Sequence, residues 1–223
     1  RALAGLGSAK GSNEEAYLFQ KLIWTGFGTN NVDHCTRLCH ASSVAAMLEI
    51  LGSAAVSNQV SDVLKAEVAI VIGAKPTVNH PVAATFMKNA AKNGTKIVVI
   101  DPYRSELTRH AEHFFQLTPD TDVALLNSLM HVIIKEKLYD FEFIDKRTID
   151  FEKLRRCVKS YSPKKVAPIC GVTAQEIEAV ARLYANAKSA MIFWGMGISQ
   201  HIHGTDNARC LISLALLCGQ IGR

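Results

Sequence analysis

Three runs in the chain, Val68-Ala-Ile-Val-Ile72, Lys96-Ile-Val-Val-Ile100 and Ser189-Ala-Met-Ile-Phe-Trp194, are almost uninterrupted in apolar residues. Successive side chains of a strand point to opposite faces, so a strand with one wet face alternates polar with apolar residues. Unbroken runs belong to strands buried on both faces, the habit of parallel sheets whose crossover helices cover each side. Helical segments stand between them. Pro81 to Asn93 has proline in the first turn and Gly94 just past the end. Ser42 or Ser43 opens a helix through Leu51 that Gly52 stops. A long helix runs from Asp122 to about Lys137, helical pieces fill 141–187, the last behind the capping box Thr173-x-x-Glu176, and another helix starts near Thr205. A short strand, Phe114 to Leu117, completes an α/β reading: a Rossmann-like parallel sheet with helices on both faces. Ahead of it, Leu3 to Gly7 reads as a strand and Ser12-Asn-Glu-Glu15 as a capping box opening a helix toward Gly26.

Composition narrows the function. With 48% hydrophobic and 20% charged residues in 223, the chain is neither disordered, collagenous nor a coiled coil. Its long apolar run, Cys210 to Cys218, falls short of the roughly 20 residues a membrane span needs and reads as a buried helix. The net charge of +5 comes without a run of five like charges, which suits a polyanionic cofactor better than a nucleic-acid groove. Six cysteines without a Cys-x-x-Cys pair imply a reducing, cytoplasmic setting, and Cys157, Cys210 and Cys218 read as buried small hydrophobes. The opening Arg-Ala-Leu-Ala, without an initiator methionine, suggests a piece of a longer polypeptide.

In open parallel sheets, ligands bind outside the carboxyl ends of the strands. The turns there are Gly73-Ala-Lys75, Asp101-Pro-Tyr-Arg104, Thr118-Pro-Asp-Thr-Asp122 and Gly195-Met-Gly-Ile-Ser-Gln200. Each joins a glycine or proline turn to polar groups that suit phosphate, ribose or a base. Any one could be an ordinary turn or cap; four in succession point to a nucleotide-like ligand. A rival signal, Gly5-x-Gly7-x-x-x-Gly11 between strand and helix, lacks the acidic residue that a dinucleotide fingerprint places about 20 residues on.

The segment richest in chemistry is Asn30-Asn-Val-Asp-His-Cys-Thr-Arg-Leu-Cys-His-Ala-Ser-Ser43. Cys39 precedes a helix N-terminus, where backbone amides favour thiolate, the form that ligates metal or attacks. Zinc on His34, Cys35, Cys39 and His40 is one alternative, although Cys-x3-Cys with adjoining histidines matches no common structural site. An inert thiol is another.

On these residues the chain closely resembles the catalytic subunits of molybdenum or tungsten formate dehydrogenases, in the bis-molybdopterin guanine dinucleotide oxidoreductase family. The Asn30–His40 block carries the resemblance most specifically. Gly73-Ala-Lys-Pro76 with His80-Pro81, Asp101-Pro102, Asp120 to Asn127, Trp194 to His201 and Gly219-Gln-Ile-Gly222 extend it along the chain. It implies that Cys39 binds the metal and that His40 is an active-site histidine, the catalytic pair. Around one guanine dinucleotide it implies Gly73, Lys75, Asp101, Tyr103, Arg104, Asp120, Thr121 and Asp122, with Tyr103 standing where many members have Arg. Gly195, Met196, Gly197 and Gln200 would approach the pterin and metal, and Ser8, Lys10 and Cys35 would face the cofactor from the amino-terminal side.

The implied activity is oxidation of formate to CO2, or the reverse, at a Mo or W bis-pterin centre, with electrons leaving to iron–sulfur or diaphorase subunits. The family also carries an amino-terminal [4Fe-4S] domain, a formate-holding arginine just beyond the Gly219 block, and a carboxy-terminal cap domain. Residues 1–34 are expected to be a strand and helix of a neighbouring domain, and 35–223 the cofactor-binding α/β domain. By itself such a piece would be inactive, with apolar surface exposed at Leu22-Ile-Trp24 and along the terminal helix through Leu217. The alternative is a metal-free scaffold subunit of a related redox complex.

Overall fold

A computed structural model describes residues 3–222; the outer limits expected for the two units, Arg1 and Arg223, lie outside them. The three apolar runs form β3 (Val68–Ile72), β4 (Lys96–Ile100) and β6 (Ala190–Trp194), and β5 (His113–Phe115) joins them in a wholly parallel sheet of order β5-β4-β3-β6. Side-chain alternation sorts the strands into two cores. Val68, Ile70, Ile72, Val98 and Ile100 face α6 (Asp122–Lys135), α9 (Pro163–Cys170), α10 (Ala174–Ala185) and α12 (Gly204–Leu217). Ala69, Val71, Ile97 and Val99 face Met87 and Ala90 of α5 (Pro81–Lys92), with Val63 and Leu107 from two 3-10 turns. Burial on both faces is therefore why these strands are apolar throughout, each fully buried aliphatic side chain contributing about 1.5–3 kcal/mol.

Local signals set the helix limits. Both capping boxes form: Ser12 with Glu15 opens α1 (Asn13–Lys21), and Thr173 with Glu176 opens α10. Gly52 takes φ +70° after α3 (Ala41–Leu51), and Gly94 takes φ +106° two residues after α5 ends. α7 (Phe141–Arg147) and α8 (Phe151–Val158) fill the stretch between α6 and α9.

Several expectations need correction. The amino-terminal unit holds two strands, because Val32–His34 (β2) pairs in parallel with Gly5–Gly7 (β1); two of its three residues are polar, so no apolar pattern marks it. Beyond α1 the chain continues as a π turn, Leu22–Gly26. Cys39 is the last residue of a one-turn helix, α2 (Thr36–Cys39), and α3 begins at Ala41 behind His40, ahead of Ser42. β5 starts at His113 and ends two residues before Leu117. Cys157 is exposed: α8 turns Phe151, Leu154 and Val158 inward, and position 157 falls off that stripe. The terminal helix is not a bare surface, since Leu211, Leu214 and Leu217 are buried against the sheet. Leu22 and Trp24 are half exposed as expected, but Ile23 between them is buried.

Between the carboxyl ends of β3 and β6, backbone meets backbone. Gly195 N–H donates to the Ile72 carbonyl at 3.3 Å and Gly197 N–H to the Gly73 carbonyl at 3.0 Å. A Cβ on Gly73 would lie 2.8 Å from the Gly197 carbonyl carbon, and one on Gly195 would lie 2.7 Å from the Gly73 oxygen. Gly73 also sits at φ +55°, a left-handed conformation that costs a residue with a Cβ. Gly73→Ala is expected to lose about 2–5 kcal/mol, from the left-handed backbone together with the overpacking. Gly52→Ala, with a similar φ and nothing within 4 Å, is expected to lose about 1–2 kcal/mol. Urea midpoints of the two variants check this, and equal losses would show that the glycine contact does not constrain the fold.

Candidate functional site

The chain leaves β3 toward β4 on one side, while β6 lies on the other, so the strand order reverses between them. At such a switch point the loops diverge and leave a crevice. Here it is a cleft of about 660 Å³, within the range of small-molecule sites. Its floor is the glycine contact of Gly73, Gly195 and Gly197, and its walls include Lys75, Asp101, Asp120, Asp122, Met196, His40, His80 and His201. Without side chains, the floor brings peptide groups directly to whatever enters.

The walls carry an unusual charge arrangement. Asp122 starts α6 and is only 7% exposed; burial pushes its carboxyl above the ordinary range, partly offset by its own backbone N–H. Its neighbours worsen the position, because Asp120 and Asp101 add like charge and His201 alone opposes them. That histidine is shared, its Nδ1 lying 3.5 Å from Asp120 Oδ1. Asp101 is likewise raised by burial, with the Tyr103 N–H at 2.8 Å and the Lys75 charge pulling the other way. Three carboxylates thus converge on one wall, two of them desolvated. Thr121 is the helix N-cap by backbone geometry, yet its hydroxyl donates to the Thr118 carbonyl at 2.7 Å instead of capping.

The Cys39-His40 segment reaches this cleft from α2 and α3. Its placement depends on α3 packing against α12, where Ala46, Met47, Ala208 and Ile212 form a small core with Trp194 against it. The Cys39 thiol lies against the Met196 thioether, which lines the cleft. His40 Nδ1 lies 3.0 Å from Ser199 Oγ, which is 2.6 Å from Ser43 Oγ, and the Trp194 indole N–H donates to Ser43 Oγ at 3.0 Å. Two more bonds lock the segment: Ser42 Oγ donates to the Ser199 carbonyl at 2.7 Å, and the Gln200 amide donates to the Leu38 carbonyl at 3.0 Å.

Not every residue singled out in the sequence reaches the cleft wall. Lys75 lines the cleft with its Nζ 4.2 Å from the centroid of the exposed Tyr103 ring, whereas Arg104 sits at the rim, stacked over Phe114 at 4.5 Å. Ser8, Lys10 and Cys35 belong to a separate corner, where Ser8 Oγ accepts from Lys10 N–H and Cys35 Sγ accepts from Ala9 N–H. Gln200 is engaged by the Cys39 segment. The zinc alternative loses its geometry: His34 Nδ1 contacts Thr36, Cys35 the Ala9 amide, Cys39 Met196, and His40 Ser199. Among the described residues, no three His, Cys, Asp or Glu side chains group to hold a metal ion. Ser43, Ser199 and Trp194 carried no signal that linked them, because their partners lie more than 150 positions away.

Comparison with known proteins matches this geometry to a lineage. The family model described as molybdopterin oxidoreductase matches residues 2–223. Formate dehydrogenase H of Escherichia coli is 43% identical over 223 residues, all of this chain and 31% of that protein. The F420-dependent formate dehydrogenase subunit alpha of Methanocaldococcus jannaschii is 40% identical over 216 residues, 97% of this chain and 32% of that protein. Among solved structures, acetylene hydratase from Pelobacter acetylenicus superposes with a TM-score of 0.82 at 26% identity, covering 97% of this chain and 30% of that one. The chain thus spans about a third of the length of these relatives. With the family model running along a sheet whose switch-point cleft meets a Cys-His pair, the chain belongs to the molybdopterin oxidoreductase family.

Proposed function

We propose that this chain is the cofactor-binding part of the catalytic subunit of a formate dehydrogenase, one that oxidises formate to CO2 or runs the reverse reaction. The observation that carries the reading is the meeting of the Cys39-His40 pair with the glycine-floored cleft: His40 lines it, and the Cys39 thiol lies against Met196, which lines it too. Identity to formate dehydrogenases over 97–100% of the chain supports the choice of reaction. Fold alone does not, since a hydratase shares it.

The residues present fit a molybdopterin guanine dinucleotide. Asp122 is a buried carboxylate short of donors, and a guanine edge offers two adjacent ones, N1–H and the amino group. Gly73, Gly195 and Gly197 leave room that any Cβ would fill. Lys75 and, from the rim, Arg104 would meet phosphate, while Asp101 and Asp120 would take ribose or pterin donors. Cys39 would ligate the metal as thiolate, and Ser8 and Lys10 of the amino-terminal unit, residues 1–34, with Cys35 just after it, would approach a second pterin. A bis-pterin centre holding molybdenum or tungsten would supply two-electron redox chemistry to the substrate. Of the chain's own residues, His40 would orient that substrate, with Met196 lining the cleft beside the Cys39 thiol. A [4Fe-4S] cluster and electron-transfer subunits of the iron–sulfur or diaphorase type complete the proposal for the whole enzyme.

Metal analysis of the protein together with its flanking segments tests the reading. One Mo or W per chain, with formate-dependent dye reduction, is the expected result; no metal would favour a scaffold subunit. Cys39→Ala is expected to abolish turnover, and formate oxidation at the wild-type rate by that variant would defeat the assignment of Cys39. The polypeptide of residues 1–223 alone is expected to show no formate oxidation.

Asp122→Asn separates ligand binding from stability. The folded-state pKa is raised, so wild-type stability falls as pH climbs from the unfolded carboxyl range through the folded value. The amide carries no such penalty. Thermal melts should therefore show the variant as stable as the wild type or more so at pH 7, with the gap closing toward about pH 4. Retention of the guanine nucleotide should fall. A destabilised variant with unchanged nucleotide content would assign Asp122 to helix capping instead.

A further inference from the structure

We propose that Trp194, Ser43 and Ser199 act as positioning residues that fix which nitrogen of His40 carries the proton, so that His40 meets the cleft as a hydrogen-bond donor. The inference rests on the reading of His40 above and adds the form in which the ring works.

The argument is a count of protons along one chain of contacts. The indole of Trp194 has a single N–H and no acceptor, so Ser43 Oγ must accept from it. Ser43 and Ser199 each own one hydroxyl proton, and one of them donates across the 2.6 Å contact. If Ser43 donates, the Ser199 proton is free to go to His40 Nδ1, 3.0 Å away, and every proton in the chain is bonded. If the direction is reversed, Ser43 Oγ accepts from both Trp194 and Ser199, and its own proton is left without a partner in the network. Ser43 is 4% exposed and Ser199 is 5% exposed, so water does not rescue that proton. The fixed indole donor at the end of β6 thus propagates one direction through two buried hydroxyls. His40 is then an acceptor at Nδ1 and protonated at Nε2, the nitrogen left for the cleft.

The chain is also held against rearrangement. Ser42 Oγ ties α3 to the Ser199 carbonyl, and the Gln200 amide ties the same turn to the α2 backbone at Leu38. Trp194 itself is placed by its register opposite Ile72 in the sheet. A donor beside the Cys39 thiol suits an anionic substrate such as a carboxylate, which an acceptor nitrogen at that position would repel.

The test reads the tautomer directly. Long-range proton–nitrogen correlation spectra of the 15N-histidine-labelled chain, at a pH where the imidazole is neutral, distinguish protonated from unprotonated ring nitrogens. His40→Gln identifies the signals. The expected result is Nε2–H in the wild type, and a mixed or reversed tautomer in Trp194→Phe and in Ser199→Ala. Trp194→Phe keeps the aromatic packing and decides alone if Ser199→Ala does not fold. An Nδ1–H form in the wild type, or an unchanged Nε2–H form in the folded variants, overturns the proposal. These spectra require neither metal nor pterin, so their failure leaves the cofactor reading standing, and an absent metal leaves the tautomer result standing. In the metal-loaded enzyme, Trp194→Phe is expected to raise the formate KM roughly tenfold, the scale of one misaligned hydrogen bond to a charged group, at unchanged metal content. Lost metal with unchanged KM would mark a merely structural role and overturn the proposal.

Discussion

The glycine contact between the ends of β3 and β6 is the constraint on which the site depends. Two parallel strands lie in register from Val68 opposite Ala190 to Ile72 opposite Trp194, and their next residues touch through backbone alone. Because peptide groups interlock there, the turn after β6 is drawn over the turn after β3, and one pair of hydrogen bonds carries the sheet's order one step beyond its last strand residues. That step does two things. It clears a floor without side chains at the switch point, and it sets Met196, Ser199 and Gln200 at fixed positions on the turn where the Cys39-His40 segment must dock. The helices α3 and α12 supply the apolar adhesion for that docking, while the polar bonds supply its register.

The cleft breaks local rules that the rest of the molecule keeps. Elsewhere, charged groups are paired at the surface: Arg182 with Glu136, Arg209 with Glu49, Lys96 with Glu112. Such exposed pairs add little to stability. On the cleft wall, by contrast, Asp101 and Asp122 are desolvated beside Asp120 with one lysine and one histidine to offset them. An arrangement that costs folding free energy and is confined to a concave surface is the mark of a site shaped for a ligand rich in donors. The two polar systems divide the work. The carboxylates line the cleft from the end of β4 and the start of α6, and the Trp194-Ser43-Ser199-His40 relay meets it from β6 and α3.

Much of the scaffold was legible from residue pattern. Unbroken aliphatic runs named β3, β4 and β6, and both capping boxes and the glycine stops gave helix limits to within a residue or two. β2 was not legible, because a three-residue strand held by backbone bonds to β1 needs no pattern of its own. Neither was α2, a single turn that hands over to α3 through His40 and is too short to carry a helical period of its own. The reading of the terminal run as a buried helix holds, while the exposure of Cys157 and the bare surface expected along that helix were misjudged for one reason: a helix's amphipathic face shows that it packs, without showing what it packs against.

By itself the sequence determined the fold class, the strand ends where a ligand belongs, and the Cys39-His40 pair as its chemical centre, since periodicity and turn chemistry are local properties written in neighbouring residues. It also carried the family resemblance. Only the tertiary structure decided that Gly73 and Gly197 touch, that Asp122 is buried without a cation of its own, and that Trp194 reaches His40 through two serines. The glycine contact and the serine relay join positions separated by more than 100 residues along the chain. Hydrogen-bond direction and desolvation depend on the full three-dimensional surroundings of a group, and no window along the chain contains them.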